Sequence, residues 1–187
     1  MAKVKMNAVV EKMSGAIGDL VFRSSGDNVV VSRKPEHKPR EKSPAQLDHT
    51  ERFRLATSYA KAALGDSVLG PVYASAAKEK HIQPYPLAVG DFLNAPTVDA
   101  INLDGFHGKA GDAIVIRASD DIAVVRVTVT LRNEKGTTEM GEAVFTQGSW
   151  RYVTRADLDL SSGLAAIDVT ALDHPGNKTT QTAVKQP

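Results

Sequence analysis

The chain has 187 residues, 42% of them hydrophobic and 24% charged, with a formal net charge of +1. That is the composition of globular structure, enough for one large or two small domains. There is no cysteine, which excludes disulfides, thiolate metal sites and cysteine catalysis, and no stretch reaches the roughly 18 apolar residues of a membrane-spanning helix.

The charge is unevenly spread. Residues 1–95 hold 14 Lys+Arg against 10 Asp+Glu, a net of +4, and residues 96–187 hold 9 against 12, a net of −3. Neither half is extreme enough to define a nucleic-acid-binding protein by charge alone. The start, MAKVKMNAVVEKMSGAIGDL, is basic at Lys3 and Lys5, but Glu11 and Lys12 interrupt its apolar run. It does not read as a secretory signal peptide, so export by the general secretory route is not expected.

The first segment carries three β-leaning runs, VKMNAVV, GDLVF and NVVVSRK. Gly26-Asp27-Asn28 supplies residues that accept positive φ, so Gly18–Arg23 and Asn28–Lys34 read as the arms of a β-hairpin, with Ser14-Gly15 turning the chain before them. The glycines of SGAIGD do not form a phosphate loop, because Asp19 and a strand follow Gly18 where a P-loop needs Lys-Ser/Thr and a helix. GAIG also fails as a KH-domain loop, which joins two helices.

The second segment opens with the proline-punctuated PEHKPREKSP. A helix is predicted from Pro44, with Ser43 and Gln46 spaced as a capping box and Phe53, Ala56, Tyr59, Ala60, Ala63 and Leu64 on one face up to Gly65. A second, alanine-rich helix is predicted after Gly70 in PVYASAAKEKH. The following IQPYPLAVGDFLNAP has three prolines and no period, and reads as a linker ending near Pro96.

The third segment holds seven predicted strands: TVDAINL, DAIVIRAS, AVVRVTVTLRN, TEMGEAVFT, SWRYVTR, LAAIDVTALD and KTTQTAVK. Val125, Val127, Val129 and Leu131 alternate onto one face, as in a half-buried sandwich strand. Trp150 and Tyr152 share one face of another, facing the core or its rim.

Strands at this spacing predict an immunoglobulin-like β-sandwich. ASDDIAVVRVTVTLRNEKG, GSWRY and AIDVTALDHPGN carry a resemblance to the bacterial immunoglobulin-like modules of adhesins, surface proteins and phage virion proteins. Ala171, Asp173, Gly176 and Asn177 resemble the Ala-x-Asp-x-x-Gly-Asn ending of such modules. The resemblance implies a structural or adhesive module, extracellular or on a virion; without it, the location defaults to the cytoplasm. Residues 14–60 resemble, more loosely, a hairpin-plus-helix unit of uncharacterised bacterial proteins, from which no activity carries over.

The predicted organisation is therefore α+β. Residues 1–90 form an assembly domain of β-hairpin and two helices, 91–95 a linker, and 96–187 a sandwich of about seven strands. Loop carboxylates Asp104, Asp112, Asp120, Asp121 and Asp173 are the residues a calcium ion would use, but aspartate is also a common turn former, and turn chemistry is the expected role. His37, His49, His81, His107 and His174 show no metal-ligand spacing. There is no nucleophile elbow and no carboxylate pair spaced for acid–base work, so no enzyme, cofactor or essential metal is expected. Arg33, Lys34, Lys38, Arg40 and Lys42 could follow a phosphate backbone, but Glu36 and Glu41 dilute them and no aromatic residues interleave.

A small sheet with so apolar a sequence is marginal alone, and its predicted cover is one helix with an alanine face. Val21, Phe22, Val29, Val30 and Val31 are accordingly the expected assembly residues, through strand addition between copies. The reading is a non-enzymatic structural protein that self-assembles as a filament, surface appendage or phage virion component. The alternative is a monomeric adhesion or binding module, followed by a nucleic-acid-binding protein acting through residues 33–42.

Overall fold

The computed structural model describes residues 2–4, 14–25, 28–34, 41–133, 136–160 and 164–186. The chain divides into two compact units, Met1–Ser43 and Pro44–Pro187. The division falls after Ser43 and not in the 91–95 linker read from the sequence, because the helices pack with the sandwich.

The first unit is a four-stranded antiparallel sheet in the order β1-β4-β3-β2, made of β1 (Ala2–Val4), β2 (Gly15–Ile17), β3 (Leu20–Ser25) and β4 (Asn28–Arg33). Strands β3 and β4 are the predicted hairpin arms, paired from Leu20↔Arg33 to Ser25↔Asn28. Gly26 and Asp27 of its turn, and most of the predicted first strand, lie outside the described residues. Gly15 is not a turn residue but opens β2. The turn is Gly18-Asp19, where Gly18 takes φ 56°, a left-handed conformation that costs glycine nothing. The Lys34 amide closes the corner by donating to the Asp19 carbonyl at 2.7 Å.

The second unit begins with α1 (Pro44–Gly65), whose bounds match the sequence reading. Ala56, Ala60 and Ala63 recur at helical spacing and are buried, while Phe53, predicted for the same face, is 48% exposed. These small side chains let α2 (Leu69–Glu79) and α3 (Pro84–Leu93) approach closely around a fully buried Tyr73. Asp66 starts α2, its Oδ1 accepting from the Val68 and Leu69 amides at 2.8 Å each. Those bonds hold its carboxyl below the usual range. Gly70 is required here, since a Cβ would stand 2.9 Å from the Leu64 carbonyl oxygen.

Helix α3 occupies the stretch read as a linker. Its prolines, Pro84 and Pro86, sit in the first turn, where the missing N–H has no helical acceptor to lose. Leu87, Ala88 and Val89 then bury against α1 and α2.

The remainder is a sandwich of two packed four-stranded antiparallel sheets. One has the order β5-β6-β10-β9, built from β5 (Thr97–Asn102), β6 (Ala113–Ser119), β9 (Val144–Thr146) and β10 (Ser149–Val153). The other has the order β12-β11-β7-β8, built from β7 (Arg126–Asn133), β8 (Gly136–Glu142), β11 (Ala165–Leu172) and β12 (Lys178–Lys185). The predicted strand TEMGEAVFT is two strands, β8 and β9, in different sheets. The chain crosses at Ala143, which is buried and donates its amide to the Val127 carbonyl at 2.8 Å.

Ile114, Ile116, Trp150 and Tyr152 from one sheet meet Val127, Val129, Leu131, Ile167, Val169 and Ala171 from the other. Each large aliphatic side chain buried in this way stabilises the fold by about 1.5–3 kcal/mol before entropy is counted. Val125, expected on the same face, is 41% exposed because it precedes β7 and serves as a backbone donor to Leu172.

Candidate functional site

The N-terminal sheet is the first candidate. Side chains alternate across a strand and directly paired residues share a face. The registers Ile17↔Leu20, Leu20↔Arg33, Phe22↔Val31 and Ser24↔Val29 therefore put Ile17, Leu20, Phe22, Val29 and Val31 on one face, together with Ser24 and Arg33. Val21 and Val30 lie on the opposite face with Arg23 and Ser32. Of the five residues assigned to assembly from the sequence, the structure brings together Phe22, Val29 and Val31 and separates Val21 and Val30 from them.

Ile17 and Leu20 were not assigned from the sequence, although the alternation of Leu20 with Phe22 already marked one of them. Ile17 is 62% and Leu20 43% exposed, whereas Val29 is buried and Phe22 and Val31 are half-buried.

The edge assignment needs correction. The hairpin has no open edge of its own, because β1 pairs with β4 through Ala2↔Val31 to Val4↔Val29 and β2 pairs with β3. The edges of the sheet are instead β1 and β2, three residues each. Short edge strands of this kind discourage strand addition.

The basic segment is described at Arg33, Lys34 and Lys42, all exposed; Lys38 and Arg40 lie outside the described residues.

The loop carboxylates are turn formers. Asp104 exchanges bonds with Asn102, and Asp112 accepts from the His107 and Lys109 amides at 2.6 and 2.8 Å, which hold its carboxyl below the usual range. Asp173 Oδ1 accepts from the Gly176 and Asn177 amides at 2.8 and 2.6 Å. Antiparallel strands return alternately to the two ends of a sandwich, so Asp104 and Asp112 lie at one end and Asp120, Asp121 and Asp173 at the other. Among the described residues, no group of three or more His, Cys, Asp or Glu is placed to hold a metal ion.

The end that carries Asp120 and Asp173 also carries the helices. Asn177 donates its Nδ2 to the Asn94 carbonyl and to Asp173 Oδ2, both at 2.8 Å, and lies 3.2 Å from the Asp91 and Phe92 carbonyls. Asp121 Oδ2 accepts from Asn94 Nδ2 at 2.6 Å. An open cleft of about 530 Å3 runs along this end, lined by Asn94, Thr97, Ser119, Asp120 and Asp121 among others.

Asp91 of α3 is fully buried, with Oδ2 accepting from the Tyr73 hydroxyl. Tyr73 in turn meets Tyr59, their hydroxyl oxygens 2.9 Å apart. Burial and the Asp91 bond drive the Tyr73 phenol well up from its ordinary value. Sequence reasoning missed Asp91, which stood alone in a proline-rich stretch.

No protein-family model matches the chain, and no curated protein matches it. A distant structural similarity, at 17% identity and a TM-score of 0.25, relates 48% of this chain to 81% of a conjugate transposon protein fragment, residues 27–141, from Bacteroides vulgatus. A likeness at that level carries no argument about function.

Proposed function

We propose that this is a non-enzymatic structural protein that associates with copies of itself through the apolar face of its N-terminal sheet and carries an immunoglobulin-like sandwich as its second unit. The observation behind the first part is the face formed by Ile17, Leu20, Phe22, Val29 and Val31, of which Ile17 and Leu20 are exposed, Phe22 and Val31 half-buried and Val29 already buried within the chain. It belongs to a 43-residue unit whose described residues contain no second layer of structure. A single sheet needs an apolar partner layer for stability. A second copy supplies one with the same chemistry, in the self-complementary manner of a two-fold interface. Two short edges make face-to-face packing a better fit than strand addition. A filament or shell needs a further contact beyond this closed pair.

The immunoglobulin-like reading of the sandwich rests on strand order. Counting its strands from β5, the sheets run 1-2-6-5 and 8-7-3-4. That is the arrangement in which the first, second, fifth and fourth strands of an immunoglobulin-type domain form one sheet, with one added strand on the other.

The test is sedimentation of the full chain and of Phe22→Asp and Val31→Lys. The wild type should be a dimer or larger at micromolar concentration, and each variant should shift to monomer with its sandwich melting unchanged. A wild type that stays monomeric at high micromolar concentration overturns the reading and leaves the monomeric binding module in its place.

A further inference from the structure

A polar cluster lies between the helices and the sandwich. Asp91 is fully buried, and while its Oδ2 is bonded to Tyr73, its Oδ1 has no hydrogen-bond partner. Facing Asp91 from α2 is Tyr73, and behind it Tyr59 of α1. From the β6–β7 loop comes the Asp120 carboxyl, within hydrogen-bonding reach, and from the β11–β12 turn the more distant charge of Asp173. Lys80, the residue that caps the end of α2, reaches this end of the sandwich, but its Nζ donates to the main-chain carbonyl of Asp121 at 2.5 Å. Asp173 already takes both backbone amides of its turn and the Asn177 side chain.

Two carboxyl groups that meet with no donor between them repel when both are ionised. One proton held between them turns the repulsion into a hydrogen bond and gives the orphaned oxygen a partner. We propose that Asp91 and Asp120 bind a single proton between them, and that this shared proton clasps the helical layer to the sandwich and is released as the pH rises. Asp91 contributes from α3 and Asp120 from the loop after β6, so the bond joins two layers that the backbone connects only through residues 94–96.

The electrostatics run the same way. Burial, reinforced by the negative charges of Asp120 and Asp173 and opposed by the Tyr73 bond, pushes the Asp91 carboxyl up from its ordinary 3.8 to about 7. A folded-state value above the unfolded one means that the folded chain keeps this proton longer. The stability it confers is complete below the unfolded value and is lost as the pH climbs through about 7. Asp112, Asp157 and Asp66 are displaced downward, so their contributions change only at more acid pH. Burial also displaces Asp173 upward, so it is the comparison with Asp120→Asn that assigns the loss to the Asp91 pair.

The experiment is a side-chain carboxyl titration of the isotope-labelled full chain by NMR, with guanidinium unfolding at about pH 5 and about pH 8. Asp91 should titrate near 7. Asp120→Asn should lower that midpoint by about one unit or more, because the new amide donates to Asp91 Oδ1 in place of the proton. The wild-type unfolding midpoint should fall between the two pH values, and the fall should shrink in Asp120→Asn. Titration of Asp91 in the ordinary carboxylate range overturns the proposal. So does an Asp91 midpoint that Asp120→Asn leaves in place, which would mark simple burial. A chelator-reversible rise in melting temperature with millimolar calcium at the higher pH also overturns it, by showing that the pair holds a cation.

Discussion

Replacing Asn177 with alanine should destabilise the second unit more than any ordinary change at a partly exposed turn residue. The Asn177 side chain offers two N–H groups, and the two shortest contacts, to the Asn94 carbonyl and to Asp173 Oδ2, are both 2.8 Å. The bond to Asn94 is worth about 1 kcal/mol, and the charge-assisted bond to Asp173 about 1.5–3 kcal/mol. The carbonyls of Asp91 and Phe92 stand among the last of α3, which lack intrahelical donors, and Asn177 is also near them at 3.2 Å. Partial exposure lets water replace some of this, so the expected loss is about 2–3 kcal/mol. In a unit of this size that amounts to a fall in melting temperature of about 4–12 °C. Chemical denaturation measures the loss directly, and hydrogen exchange should show the α3 amides losing protection before those of β7 and β11. Asn177→Asp serves as a control of equal size: it removes both donors and sets a second carboxylate against Asp173, so it should cost more than alanine. A loss below about 0.5 kcal/mol for alanine, or an aspartate variant as stable as wild type, would refute the view that this side chain joins the helices to the sandwich.

Two further substitutions probe the sandwich. Val127 is fully buried between the sheets, so Val127→Asp should cost at least about 4 kcal/mol, from lost burial plus an unpaired charge; an unchanged urea midpoint would mean that β7 presents its other face to the core. Gln147 holds φ 49° in the turn before Gly148, a conformation that asparagine tolerates better than glutamine, so Gln147→Asn should raise stability by about 0.5–1 kcal/mol; a decrease in the thermal midpoint would count against strain at that turn.

The elements most legible in the sequence were those whose signal is local. Helix α1 showed its proline start, its alanine face and its glycine end, and its bounds agree with the structure. Strand β7 showed strict alternation, and Val127, Val129 and Leu131 are buried as read. Helix α3 escapes the sequence reading because its stretch holds three prolines and no period, whereas the penalty of Pro84 and Pro86 vanishes in a first turn. The N-terminal edges were misjudged for a different reason. Which strand covers the hairpin depends on pairing with Ala2–Val4 and Gly15–Ile17, segments of three residues each, too short to carry a period.

The meeting of Asp91, Asp120, Asp173 and Asn177 was half visible. TEMGEAVFT is two strands in different sheets but one continuous run, so reading it as a single strand leaves the up-and-down alternation of the chain intact. Alternation alone then places the turns at Asp120-Asp121 and Pro175–Asn177 at the same end as residue 96, and Asp104 and Asp112 at the other. The five loop aspartates that a calcium ion would use thus divide between the two ends on the sequence alone. What alternation does not supply is depth. Asp91 is driven inward because its helix must bury Leu87, Ala88 and Val89 against the alanines of α1, and residue 91 follows Leu87 and Ala88 at helical spacing on that buried face. A carboxyl forced to that position needs partners from the inner side, and Tyr73 supplies one. From the sandwich side Asp120 meets it with another acid. The charge that a buried site cannot hold unpaired is what makes a proton, rather than a lysine or arginine, the means of joining the two layers.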